Sequence, residues 1–339
     1  LSLAVRALGK LHGAGGLGAQ NLGPAAEALV ARLLPSAFER SAHLDTQGLA
    51  NLAGGMASLA QPAQPQTATA ASEGAVSGGT GAVRSGARDL VRATGPRLHE
   101  LKPQELANVL YSLAKLDARV TECDERFAPA AARALAVAAH ADRTTGGFTP
   151  RQLANVGWAV SRLLDGLQGR QPRVGGGAER AERLSFWRLL APALARRCSD
   201  LNAQELSMSA WAAANALRSC EADEAGGGGG DRGAARELAS AIARAARASA
   251  PSLSAQQLAT IVLALSKLGA RRGVFMVLAK ATRARIGEFN AQDLDNVACA
   301  YARLGYDGWG AKLTRAIAAA AAAAVAHGRA PPRNAANLL

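Results

Sequence analysis

Lys10, Lys115, Arg162, Lys267 and Arg303 each stand immediately before a Leu, at the end of a phrase that returns along the chain. Eleven residues before the basic position lies a second column, Gln47, Gln104, Arg151, Gln204, Gln256 and Gln292. Four residues further on comes a third, with Asn51, Asn108, Asn155 and Asn296 in most copies and Met208 and Thr260 in the others. No Asp or Glu enters the basic column, where Ser58 and Asn215 are the exceptions. A row of like charges repels itself unless an anion lies along it, so the column is suited to phosphate contact. The amide columns suit two tasks, hydrogen bonding to a ligand or to a neighbouring turn that fixes how helices stack. Tyr111, Trp158 and Trp211 share a position at the edge of this stripe. Rings there serve either to stack on bases, at about 1–3 kcal/mol per base, or to pack between helices. A base-reading code would use positions that differ between copies. Position 111 differs, and so does position 105, which reads Gly48, Glu105, Gln152, Glu205, Gln257 and Asp293.

The element that must carry these columns is the phrase itself. "LKPQELANVLYSLAKL" at 101–116 returns as "FTPRQLANVGWAVSRL", "LSAQQLATIVLALSKL" and "FNAQDLDNVACAYARL". Copies start at Leu44, Leu101, Phe148, Leu201, Leu253 and Phe289, with partial copies at 1–11 and 330–339, the latter holding Asn337. Leu106, Val109, Leu110, Leu113 and Leu116 recur at helical spacing and form one apolar face. At about 100° per residue, Gln104, Asn108 and Lys115 fall on the opposite side. Recurring Ala107, Ala114, Ala154, Gly157 and Ala259 allow close helix approach. Pro103 and Pro150 stand where a helix start loses least by a missing N–H.

The shortest interval, 36 residues from Leu253 to Phe289, sets the bare unit. Longer intervals carry Gly-, Pro- and Ser-rich insertions, expected to be loops over 61–86, 169–178 and 221–233. A second helical segment precedes each copy. A period of roughly 38 residues without strands predicts an all-α fold, a right-handed α-solenoid of stacked helical hairpins in a single array over 1–339. Stacking would align the polar columns into a cationic track. The chain reads as a fragment at both ends, so any targeting peptide would lie outside it.

Composition agrees. Apolar residues make up 49% and aromatics 4%, with Ala dominant, and Lys and Arg exceed Asp and Glu by 13. Ala favours helix, and the basic excess favours a polyanionic partner. Cys123, Cys198, Cys220 and Cys299 form no CxxC, and the five His are dispersed, so neither a metal site nor a disulfide framework is expected. Gly13–Gly18 fits G-x-G-x-x-G but follows a helix rather than a strand, so no dinucleotide site is expected. No triad or carboxylate pair points to catalysis, and no apolar run has transmembrane length; "IAAAAAAAVA" at 317–326 reads as an Ala-rich helix. The expectation is a non-enzymatic binder without cofactor, membrane or small-molecule substrate.

The pattern Leu/Phe-x-Pro/Ala-Gln-x-Leu-Ala-Asn, followed by an aromatic and Ala-Lys-Leu, resembles the octotricopeptide repeat family of green-algal organelles. It is also similar to the leucine-rich helical region of FAST-kinase-like, RAP-domain proteins. The resemblance is strongest at 101–116, 148–163 and 253–268, and departs at 201–216, where Met208 and Asn215 replace Asn and the basic residue. It implies sequence-selective binding of single-stranded organellar RNA, in the mitochondrial matrix or chloroplast stroma, with a role in RNA stability, processing or translation. The alternative is a protein-binding scaffold in an organellar ribosome or another ribonucleoprotein assembly, with ribosomal or granule proteins as partners.

Overall fold

A computed structural model describes residues 2–13, 24–60, 79–116, 127, 130–131, 133–137, 147–165, 177–221, 229–305 and 310–326. Every regular element among them is helical. The phrase-bearing helices are α1 (Ser2–Gly13), α3 (Thr46–Leu59), α5 (Pro103–Lys115), α6 (Pro150–Asp165), α8 (Ala203–Glu221), α10 (Ala255–Lys267) and α12 (Ala291–Arg303). Between them run α2 (Pro24–Glu39), α4 (Gly79–Thr94), α7 (Gly177–Arg197), α9 (Gly229–Ser249) and α11 (Arg272–Ala284), with α13 (Gly310–Ala326) after the last. Each complete phrase thus opens two residues before a helix, and the alternation is that of an all-α helical-hairpin repeat. The Ala-rich stretch lies in α13.

The chain divides into two units, Leu1–Phe186 and Trp187–Leu339. In the first, α1, α3, α5 and α6 pack each on the next, and α2 packs on α4 in a second row. In the second, α8, α10 and α12 form the phrase row, while α9, α11 and α13 form the other. The apolar face explains both rows. Leu106, Val109, Leu110 and Leu113 are fully buried, as are Leu258, Ile261, Val262 and Leu265. Each such side chain contributes about 1.5–3 kcal/mol on leaving water.

Close approach is greatest between α1 and α3. A β-carbon on Gly55 would lie 2.7 Å from backbone atoms of Val5 and Arg6, and one on Gly9 would lie 2.7 Å from the Gly55 carbonyl oxygen. The hairpin turns are built locally. Leu268 ends α10, Gly269 takes φ +62°, and the Ala270 N–H donates to the Leu265 carbonyl at 3.0 Å, closing a glycine C-terminal cap.

All three loop expectations need correction at their edges. Helix α4 begins at Gly79 and α9 at Gly229, so both reach into stretches expected to be loop, as α7 does from Gly177 and α8 at Glu221. The reason is the chain beyond the glycines. Val83, Ala87, Leu90 and Val91 of α4 are buried, as are Leu238, Ala239, Ala241 and Ile242 of α9, and packing carries the helix past its Gly-rich start. The remainder of the three insertions, the partial copy at 330–339, Cys123, His140, His327 and residues 14–18 of the glycine motif lie outside the described residues.

Candidate nucleic-acid interface

The entry to each phrase helix fixes its polar face. The first residue of the phrase, as at Leu44, Leu101, Leu201 and Phe289, ends a short 3₁₀ turn in extended conformation. The next residue caps the helix. Ser254 Oγ accepts from the Gln257 N–H at 3.2 Å while Gln257 Oε1 accepts from the Ser254 N–H at 2.8 Å. Thr149 with Gln152, Asn202 with Glu205 and Asn290 with Asp293 close the same reciprocal box. Glu105 accepts from the Lys102 N–H at 3.0 Å, and Asp45 accepts from the Gly48 N–H at 2.7 Å. The column expected to vary like a base-reading code is therefore occupied by capping. Glu105, Glu205 and Asp293 are buried, turned back onto the backbone N–H groups left open at a helix start.

The columns beside it face outward. Gln47, Gln104, Arg151, Gln204, Gln256 and Gln292 are all exposed. The Asn column divides. Asn51 is 7% exposed; its side-chain oxygen accepts from Arg6 Nη1 of α1 and from Gln47 Nε2 at 3.2 Å. Of the two tasks open to an amide, Asn51 performs the stacking one. Gln292 Nε2 donates to Asn296 Oδ1 at 3.2 Å in the same one-turn ladder. Asn108 is exposed and Asn155 half-buried.

Among the basic residues, Lys10, Arg162 and Arg303 are exposed and Lys115 and Lys267 half-buried. The rings give the column its clearest geometry. Tyr111 of α5 and Trp158 of α6 meet at 5.2 Å between centroids, tilted by 50°. Lys115 Nζ stands 4.9 Å from the Tyr111 centroid, and Arg162 Cζ 5.5 Å from that of Trp158. One turn separates each cation from its ring, so the helix itself sets both pairs, each contributing about 0.5–1 kcal/mol at an exposed site. Both rings are half-buried, which leaves an aromatic surface flanked by two positive charges. Trp211 of α8 is half-buried at the corresponding place.

In α10 and α12 of unit 2 the same position holds Leu263 and Cys299. The exposed Cys299 Sγ donates to Asp295 Oδ1 at 3.6 Å. Burial and the Asp295 charge raise its pKa against the opposing pull of Arg303 and Lys267. Cys198 is a different thiol, buried and pushed up to about 12 by loss of solvent, so it is inert at neutral pH.

A further pair of basic residues escaped the motif reading. Arg97 Nη1 donates to the Leu44 carbonyl at 2.7 Å and pairs with Glu100 at 3.0 Å. Arg285 Nη1 donates to the Leu253 carbonyl and pairs with Glu288 at 2.5 Å. In each case an Arg four residues before one phrase ties down the first residue of the preceding phrase. Part of the basic excess thus holds repeats together rather than facing a ligand. The sequence signal was Arg-x-x-Glu ahead of Leu101 and Phe289, with Arg-x-x-Asp ahead of Leu201.

Among the described residues, no cluster of His, Cys, Asp and Glu is arranged to hold a metal ion, and no helix is long and apolar enough to cross a membrane. Residues 41–170 match the family model for the N-terminal domain of the Tbc2 translation factor. That stretch lies within unit 1 and includes α3, α5, α6 and the Tyr111–Trp158 pair. No curated protein matches the chain.

Proposed function

We propose that the chain is a non-enzymatic, helical-repeat RNA-binding protein of the octotricopeptide type, acting on single-stranded RNA in an organelle, in RNA stability, processing or translation. The observation that carries this reading is the aromatic pair of α5 and α6 with a cation over each ring. Single-strand binders combine two such groups, a π-surface for bases and positive charge for the backbone. The translation-factor match over the same stretch supports an RNA-related role. Lys115 and Arg162 would contact phosphate in unit 1, and Lys267 and Arg303 in unit 2, with Lys10, Gln104, Arg151, Asn155, Gln204, Gln256, Gln292 and Asn296 along the same columns. The compartment fitting the resemblance is the mitochondrial matrix or chloroplast stroma.

The test is titration of single-stranded RNA against the parent chain and the variant Lys115→Ala/Arg162→Ala/Lys267→Ala/Arg303→Ala, over a range of salt. Four lost phosphate contacts should flatten the slope of log affinity against log salt by roughly 3. A folded variant that binds as tightly as the parent, with an unchanged slope, defeats the reading and leaves the protein-binding scaffold as the better one.

A further inference from the structure

Along unit 1, the position that carries Tyr111 is filled differently at each step, and the exposure of the amide on the next helix differs with it. Between α1 and α3 it holds Arg6, whose guanidinium donates to Asn51, an amide only 7% exposed. Between α5 and α6 it holds Tyr111, which meets Trp158. Between α3 and α5 it holds Gly54. A β-carbon there would meet nothing within 4 Å. On the next helix Asn108 stands in the phrase position of Asn51, but it is exposed, and so is Gln104 one turn before it. In the phrase register that pairs Arg6 with Asn51, Gly54 corresponds to Arg6 and Asn108 to Asn51.

We propose that this notch between α3 and α5 receives one nucleobase and that Asn108 selects adenine there. The inference rests on the RNA-binding reading above and adds a specificity-determining residue to it. A carboxamide presents a donor and an acceptor side by side, which matches the exocyclic amine and adjacent ring nitrogen of adenine. Tyr111 follows Asn108 by three residues and Lys115 by seven, so α5 places a ring and a cation on the same side as the amide. Gly54 supplies the room. With a long side chain at that position the amide would be covered, as Asn51 is.

The experiment measures anisotropy of labelled oligoadenylate, oligocytidylate and oligouridylate of equal length with the full chain. The parent should favour oligoadenylate. Asn108→Ala should lose roughly tenfold on oligoadenylate and little on the others. Gly54→Arg, which rebuilds the plug that Arg6 supplies, should erase the preference in the same way, and thermal melts establish that each variant is folded. Should Gly54→Arg fail to fold, Asn108→Ala still decides, because its side chain is exposed. RNA binding by the parent with no adenine preference, or an equal loss on all three oligomers, overturns the notch while leaving the RNA reading intact. Absence of binding to any oligomer overturns both.

Discussion

The step from α5 to α6 in unit 1 and the step from α10 to α12 in unit 2 are built from one phrase and differ in the side chains that stand at position 111. Both end in a basic residue before Leu and both bury the apolar face of the phrase, and α6, α10 and α12 open with a reciprocal capping box. At position 111, the α5–α6 step carries Tyr111 and Trp158 under Lys115 and Arg162, where the α10–α12 step carries Leu263 and Cys299 beside Lys267 and Arg303. The scaffold is thus constant, and the chemistry of the exposed edge is set by a side chain the core does not need. On the proposed function, the α5–α6 step would contribute base stacking plus charge, and the α10–α12 step charge alone.

The largest effect expected from that comparison comes from making the α5–α6 step resemble the α10–α12 step. Tyr111→Leu/Trp158→Leu keeps apolar bulk and both cations but removes the rings. RNA affinity should fall by roughly tenfold to a hundredfold, while the salt dependence stays as it was. The reverse change, Leu263→Trp in unit 2, should strengthen binding severalfold. Equal affinity for the parent and the double Leu variant would mean that the ring pair only packs α5 against α6.

Next in size is a backbone effect that separates the α1–α3 contact from the phrase helices of unit 2. Position 112 is Gly55 in α3, whereas in unit 2 it is already Ala at Ala264 and Ala300. Gly55→Ala would place a β-carbon 2.7 Å from backbone atoms that have no room to give. The clash should cost about 1–3 kcal/mol, more than the helix propensity of roughly 1 kcal/mol that Ala restores. Ala264→Gly should also destabilise, by about 1 kcal/mol, through propensity and lost packing. Thermal denaturation checks both. A raised Tm for Gly55→Ala would show that α1 and α3 can separate without loss.

How far all this could be read from sequence depends on the range over which each feature is determined. Leu106, Val109, Leu110 and Leu113 announce a buried helix face because 3.6-residue periodicity is local, and the core followed it. The capping role of Gln152 and Gln257 was equally local. Thr149 and Ser254 stand three residues before them, a recognisable box, yet variation among Gly48, Glu105 and Asp293 suggested a reading column instead. Asn51 and Arg97 could not be assigned locally. Arg6 lies 45 residues from Asn51, and Leu44 lies 53 from Arg97, so their partners appear only once the hairpins stack.

Removal of one box is the third prediction. Ser254→Ala takes away the acceptor of the Gln257 N–H and should lower stability by about 1 kcal/mol, with RNA base preference unchanged. A shift in base preference from this variant would return the neighbouring column to a reading role.

The smallest effect distinguishes two carboxylates five residues apart in unit 2. Glu288 is held below its usual range by the hydrogen bond and charge of Arg285, whereas Asp293 is raised by burial in its capping box, against the Asn290 backbone N–H. The signs are opposite. Glu288 contributes stability above its unfolded value near 4.5, and that contribution disappears as pH falls through its lower folded value. Ionised Asp293 costs stability at neutral pH, and the cost is relieved as pH falls through its raised folded value toward 3.8. On acidification, the parent should therefore lose its advantage over Glu288→Gln but gain on Asp293→Asn, which keeps the acceptor for the Asn290 N–H. The box of α10, closed by neutral Ser254 and Gln257, offers the reference, since no charge there titrates. Parallel pH curves for the two carboxylate variants would mean that the Arg285 tie and the Asp293 cap do not feel their surroundings differently.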